Sequence, residues 1–302
     1  MTHDTPPICN YEGSTYRTDF WEGRGRNYED QVERIAINRL LPFNGGRRLI
    51  EIGAAYGRLV PVYHAYEQVV LFDYSMSQLR DAQANLGRNR RYIYVAGDVY
   101  RMPFRAGVFD GVTMIRVLHH LRDVQLALGQ VRGLTAPGGM FVLEHANKRN
   151  LKAMLRYAVG RQDWSPYTRL PHEFVELNID FHPEHVTDEL RSTGFEVMRR
   201  LPVSYLRLGM LKQALPIEWL VDLDSLLQNL PAYYSPSVFT KNIAIGDTPD
   251  NTDIALDAPD SLFVSPDTGN ALRRQGDEMI DDSNGQRWAV RDGIYDFKAP
   301  LS

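Results

Sequence analysis

Leu49-Ile50-Glu51-Ile52-Gly53-Ala54-Ala55-Tyr56-Gly57-Arg58 is the stretch that decides the fold. A short apolar run leads into a turn with glycine at both ends, and Leu59, Val60, Val62 and Tyr63 follow in a helical pattern. The stretch therefore reads as strand, glycine turn and helix. Gly53 lets the backbone turn sharply. Gly57 is expected to leave room for a ligand at the start of the helix, where unpaired N–H groups favour an anionic group. Many buried turns carry two glycines and bind nothing, so the turn alone does not define a site.

Val69-Val70-Leu71-Phe72 ends in Asp73, twenty residues beyond Gly53. At that separation the second strand of a βαβ unit delivers an acid to a ribose. Dehydrogenases share this layout, and a third acid separates the two readings. Tyr92-Ile93-Tyr94-Val95-Ala96-Gly97 runs to Asp98-Val99. A carboxylate there can accept from an exocyclic adenine amine while the Val99 N–H donates to a ring nitrogen. A short-chain reductase would want Tyr-x-x-x-Lys, and no tyrosine here has lysine four residues later.

Further on, 109–115 is a fourth apolar strand running into Arg116-Val117-Leu118-His119-His120, and Met140-Phe141-Val142-Leu143 is a fifth, ending at Glu144-His145. Strands alternating with helices across short turns predict an α/β fold, a doubly wound, Rossmann-like, mostly parallel sheet. Ligands of such sheets lie outside the carboxyl ends of the strands, so the acids, Arg116, His119 and His145 should gather on one edge.

On these residues the chain resembles the class I S-adenosylmethionine-dependent methyltransferases of the small-molecule branch, closely over 47–148 and more loosely to Val203. The resemblance implies a seven-stranded sheet, S-adenosylmethionine as cofactor and S-adenosylhomocysteine as product. It implies that Glu51 opens the binding motif and that Gly53, Ala54 and Gly57 flank the methionine part. Asp73, with Tyr74 beside it, would meet the ribose, and Asp98 with Val99 the adenine. The family prefers glycine where this chain has Ala55. The segment before the first strand often folds over the cofactor in that family, so Tyr11, Tyr16, Trp21, Arg24 and Arg26 either do so here or pack on the surface. An arginine could meet the methionine carboxylate and an aromatic face the sulfonium. Arg116 fixes a loop or lies near the methionine end.

At 302 residues the chain can bury one α/β core and has length for a smaller module. The boundaries read as 1–46, a covering segment and helix; 47–245, the main domain with a lid insertion at about 146–190; 246–257, a polar linker; and 258–302, a small strand-rich module. No signal-peptide-like run and no stretch approaching the roughly eighteen apolar residues of a membrane span is present, so a soluble, cytoplasmic protein is expected. The single cysteine, Cys9, excludes an internal disulfide and a cysteine-based zinc site. From Asp247 onward there are twelve acids and five bases. The slight basic excess left to the body is too small for a nucleic-acid footprint, so none is expected.

Between His145 and Gly194 the chain is too long for a simple connection and suggests a lid. His182 and His185 could be two metal ligands on one helical face, but Pro183 between them favours a helix start, and no metal is expected. The apolar residues from Leu206 to Leu223 read as helices over the substrate side, or as an interfacial helix through which a lipid or quinone enters; peripheral membrane association fits the second reading. The segments 262–272 and 284–297 resemble the zinc-ribbon-type activators of tRNA and protein methyltransferases. The family's Cys-Pro-x-Cys falls on Ser265-Pro266-Asp267-Thr268, so zinc binding is not implied. A module of this size without metal or disulfide should depend on docking against its own main domain. An acidic, strand-rich tail with no such kinship is the other reading.

Methyl transfer from a sulfonium needs little covalent help, and a base only where the nucleophile must lose a proton. His119 and His145, at strand carboxyl ends, are the candidates for that base or for orienting a small-molecule acceptor. A methyltransferase for protein or RNA with its activator fused, and a cofactor-binding protein without turnover, are the alternatives. No Asn-Pro-Pro-Tyr motif speaks for amine methylation of nucleobases or glutamine.

Overall fold

The computed structural model describes residues 6–14, 21 and 26–302. Helix α1 (Asn27–Leu40) carries Tyr28, Val32, Ala36 and Leu40 on one buried face. Strand β1 (Gly46–Ile52) then enters the centre of the sheet, pairing in parallel with β2 (Tyr66–Asp73). Helix α2 (Met76–Leu86) starts on a Ser75 cap, whose hydroxyl accepts from the Gln78 N–H. It is followed by β3 (Tyr92–Ala96), β4 (Phe109–Met114), α3 (Val124–Leu134) and β5 (Thr135–Ala146).

The connection between β1 and β2 corrects the sequence reading. Only a single 3-10 turn, Val60–Tyr63, forms where a helix was expected. Gly46 pairs with Tyr66, so β2 begins three residues after Tyr63 and leaves no chain for further turns.

After β5 the chain makes an excursion through α4 (Leu151–Ala158) and a hairpin of β6 (His172–Val175) and β7 (Asn178–Asp180). It closes where the Lys148 N–H donates to the Phe181 carbonyl and the Phe181 N–H to Ala146. Helix α5 (Pro183–Ser192) packs on α3 and on β8 (Phe195–Val203). It therefore belongs to the sheet's helical layer, and the excursion ends near 181 rather than 190. His182 is the α5 N-cap, its Nδ1 accepting from the Glu184 N–H at 3.2 Å. Helices α6 (Gly209–Ala214) and α7 (Ile217–Leu227) precede β9 (Ser237–Ala244), which inserts antiparallel between β5 and β8. Leu220 and Val221 of α7 are buried and the helix packs on α1, while Met210, Leu215, Trp219 and Leu223 stay exposed.

The C-terminal region forms β10 (Arg273–Gln275), β11 (Glu278–Ile280), β12 (Arg287–Arg291) and β13 (Ile294–Asp296). Among the described residues the sheet has eleven strands, in the order β10-β11-β12-β13-β3-β2-β1-β4-β5-β9-β8, and not seven. The seven expected strands are its inner run from β3 to β8. The four others join because β3 would otherwise present an edge of unpaired backbone groups. Instead Ile294, Tyr295 and Asp296 pair in parallel with Tyr94, Val95 and Ala96.

Two apolar layers cover the sheet. One combines α1, α2 and α7; the other combines α3 and α5 with Leu262, Phe263, Met279 and Trp288 from the C-terminal region. No helix among the described residues is long and apolar enough to cross a membrane.

Candidate functional site

A cavity opens at the carboxyl ends of β1, β2 and β4, with Glu51, Gly53, Ala54, Asp73, Tyr74, Val99 and Arg116 among its lining residues. Trp21 also borders it, whereas Arg24 and Tyr16 lie outside the described residues. A Cβ on Gly53 would stand 2.1 Å from the Val117 Cγ2, so only glycine passes there, at φ +75°. Gly57 does not line the cavity. At φ +77° it packs toward Leu86 and Leu71, which corrects the expectation that it makes room for a ligand.

Asp73 closes the turn between the first two strands. Its Oδ2 accepts from the Ala55 N–H and its Oδ1 from the Ser75 N–H, each at 2.8 Å. Burial raises its pKa, and these backbone donors oppose the rise. Glu51 is more perturbed: burial pushes it up to about 8, against the pull of Arg58 and of the Tyr63 hydroxyl bonded to it. Its Oε2 is buried without a hydrogen-bond partner. A buried acceptor of this kind is costly unless a donor arrives.

A charged cluster walls the Trp21 side. Glu33, fully buried on α1, receives Arg58 at 2.9 Å and the Nε of Arg116 at 2.9 Å, and a second Arg116 nitrogen also donates to it. Burial would raise Glu33, but Arg116 and then Arg58 outweigh it and hold its carboxyl at about 2. The guanidinium carbons of Arg58 and Arg116 lie 3.7 and 5.1 Å from the Trp21 ring centroid, a cation–π stack over the indole. Arg116 itself has φ 60°, and its N–H donates to Glu144 Oε2 at 2.9 Å. Sequence reasoning missed Glu33; its signal was an acid on the α1 face that also carries Val32 and Ala36.

The other sequence candidates stand apart from the cavity. Asp98 accepts from the Tyr100 N–H at 2.8 Å and does not line it, although its neighbours Gly97 and Val99 do. His119 is half-buried, with its Nδ1 enclosed and unpartnered and its pKa depressed by desolvation and by the adjoining His120. His145 is buried, held down at about 4 by desolvation, and its Nδ1 faces the Ala146 carbonyl at 3.3 Å. Neither histidine borders the cavity; His120 does.

His120 Nδ1 lies 2.7 Å from the Leu177 carbonyl, which fixes the proton on Nδ1 and leaves Nε2 as an acceptor. The Tyr11 hydroxyl sits 3.3 Å from Nε2 and lines the same cavity. Burial lowers the His120 pKa, partly opposed by the Leu177 bond, so the ring is neutral near pH 7. The side-by-side histidines gave the sequence no means to tell which ring turns inward. No group of three or more His, Cys, Asp or Glu that could hold a metal is found among the described residues.

This cavity, with Glu51 and Asp73 on successive strands, lies at the strand carboxyl ends of a methyltransferase-like α/β fold. Residues 50–143, about a third of the chain, match the family described as "Methyltransferase domain". It is similar to 24-methylenesterol C-methyltransferase 2 of Oryza sativa subsp. japonica, 24% identical over 60% of this chain and 50% of that protein. It is similar also to demethylmenaquinone methyltransferase of Mycolicibacterium paratuberculosis, 31% identical over 38% of this chain and 48% of the relative. The chain thus spans about half the length of these curated relatives. Its fold is like that of an S-adenosylmethionine-dependent methyltransferase from Mesorhizobium loti, with a TM-score of 0.53 at 19% identity, covering 72% of this chain and all of that one.

Proposed function

We propose that this chain transfers a methyl group from S-adenosylmethionine to a small-molecule acceptor, at oxygen or carbon, by in-line displacement. The observation that carries the reading is the unpartnered, buried Oε2 of Glu51 at the cavity that Asp73 also borders. An ammonium group such as the methionine end of the donor satisfies that oxygen, and Asp73 keeps lone pairs for ribose hydroxyls. Trp21, stacked on Arg58 and Arg116, closes the same end. Val99, which lines the cavity beside Gly97, remains the proposed adenine contact, with Asp98 holding the backbone behind it through the Tyr100 N–H.

When bound, S-adenosylmethionine supplies an electrophilic methyl whose C–S bond breaks, its electron pair going to sulfur, as the acceptor atom bonds to carbon. The protein's part is to orient the acceptor, exclude water and take its proton. Tyr11 and His120 form the relay: an acceptor O–H or C–H proton passes to the Tyr11 oxygen as the Tyr11 hydroxyl gives its own proton to Nε2 of His120, 3.3 Å away. His119 lies against that relay, its ring centroid 3.9 Å from that of His120, and His145 stands outside it. Similarity to a sterol C-methyltransferase and a demethylmenaquinone methyltransferase favours an apolar small molecule as acceptor.

The strand-rich region from 258 onward acts, in this reading, as an activator-like module in cis, because β13 extends the sheet beside the adenine-side strand β3. Where the resembling family has cysteines, Ser265 Oγ accepts from the Thr268 N–H at 3.2 Å, and the Thr268 and Ser283 hydroxyls donate to Asp281 at 2.5 and 2.6 Å. This hydrogen-bonded knot takes over the role of a metal.

Titration calorimetry of the full chain with S-adenosylmethionine and S-adenosylhomocysteine tests the reading. Saturable heats with both are expected, reduced in Glu51→Gln. Absence of heat with either ligand refutes it.

A further inference from the structure

Helix α4 turns its apolar side to solvent. Leu151, Leu155 and Val159, recurring at four-residue spacing, are 52%, 59% and 66% exposed, and Ala153 is the residue the helix buries. An apolar stripe of this period on a globular protein ordinarily faces the core, but here the inward face is alanine. The stripe is flanked by exposed Lys152 and Arg156, with exposed Arg161 following, and from 147 to 162 the chain has five bases and no acid.

The same excursion exposes Leu170, Phe174 and Val175. The Leu151 N–H donates to the Tyr234 carbonyl at 2.8 Å, which joins α4 to the loop bearing exposed Leu230 and Tyr234. At its other end the excursion reaches the site: β7 packs on the 3-10 turn at 118–120, and the Leu177 carbonyl holds His120.

We propose that this excursion docks the protein on an anionic lipid surface, with the Leu151–Leu155–Val159 stripe entering the acyl boundary and Lys152, Arg156 and Arg161 meeting phosphate. Charge selects the occupant. A bilayer offers an apolar phase bordered by a plane of negative groups, which matches an apolar stripe rimmed by bases and free of acids. The short helix buries too little apolar area for insertion without that electrostatic contribution. The inference goes beyond the methyl-transfer reading and does not depend on which acceptor is used.

Sedimentation of the full chain with phosphatidylcholine vesicles, with and without phosphatidylglycerol, is the test. Pelleting is expected only with the anionic vesicles, falling as salt is raised. Lys152→Gln is expected to weaken it about fivefold, the effect of one basic residue at such a surface, and Leu155→Glu to abolish it. Both variants, altered at exposed positions, should keep the wild-type melting temperature and S-adenosylmethionine heat. The proposal is overturned if wild type stays in the supernatant with anionic vesicles or if Leu155→Glu pellets like wild type. It is equally overturned if light scattering shows a dimer that Leu155→Glu dissociates, since the stripe would then cover a second copy. Loss of cofactor heat with vesicle binding intact would sink the methyl-transfer reading and leave the docking standing.

Discussion

The Ala55 N–H donates to Asp73 Oδ2 at 2.8 Å, so the acid proposed for the ribose also holds the turn of the first strand. That turn is strained: Ala55 has φ 45°, in the left-handed region that favours glycine. The two facts belong together, because the Asp73 carboxylate compensates a backbone conformation that alanine adopts at a cost. Ala55→Gly is expected to stabilise the protein by up to about 1 kcal/mol, the left-handed penalty less the extra chain entropy of glycine. Urea unfolding measures it, and a lower midpoint in the glycine variant would contradict the strain.

Asp73→Asn keeps the shape of the side chain but loses the charge. It should weaken S-adenosylmethionine binding about tenfold to a hundredfold, as expected for a charge-assisted hydrogen bond, and lower the urea midpoint too. Calorimetric affinity within threefold of wild type would remove Asp73 from the site.

The Glu51 proton gives a pH signature. Its folded pKa, about 8, lies above the ordinary value of 4.5. Its contribution to stability is therefore fully present below about pH 4.5 and is lost as pH rises through about 8. Glu51→Gln should flatten the fall in stability across that window. An ammonium ligand reverses the preference for the neutral acid, so binding at pH 7 should expel the proton from Glu51. Binding enthalpies measured in phosphate and in Tris would then differ for wild type and converge for Glu51→Gln; equal enthalpies in wild type would refute this role.

Much of the sheet was legible because apolar runs leading to Glu51, Asp73 and Asp98 recur along the chain, a pattern that local periodicity carries even where only a 3-10 turn joins the first two strands. The site was less so. Gly57 reads as a ligand glycine from spacing, yet Leu86 of α2 occupies its open side. His119 and His120 are adjacent letters, and only the Leu177 carbonyl, supplied from a hairpin 57 residues away, selects the second. The parallel pairing of Ile294 with Tyr94 is equally invisible, since three residues carry no record of which edge they will meet. Trp21, Arg58, Arg116 and Glu33 converge through tertiary packing from separate segments, and no spacing rule connects them.

His120 should control the acid limb of the rate profile. Its pKa lies below the usual 6.5 because burial disfavours the imidazolium, so the neutral base persists to lower pH and activity should fall only below about 6.5. His120→Ala is expected to lower kcat about a hundredfold or more and to erase that limb. His119→Ala and His145→Gln, whose rings do not border the cavity, should alter stability more than the pH profile. An unchanged limb in His120→Ala would assign the proton transfer elsewhere.

The C-terminal strands and the main domain should unfold as one unit. Ile294–Asp296 continue the sheet, the Phe297 N–H donates to the Ala96 carbonyl at 2.7 Å, and the Arg105 N–H donates to Leu262 at 2.9 Å. Trp288, Phe263 and Phe297 share one apolar cluster with Phe104 and Phe109 of the main domain. A region of 45 residues with so little core of its own borrows the larger one. Trp288 is fully buried, and Trp288→Ala should cost about 3–5 kcal/mol, the range for removing a large aromatic core side chain. Because the cluster is shared, scanning calorimetry should record a single transition moved to lower temperature. Two resolved transitions, with the larger one unmoved, would mean that the strands merely lie against β3 and that the activator-like role proposed for them lacks its physical basis.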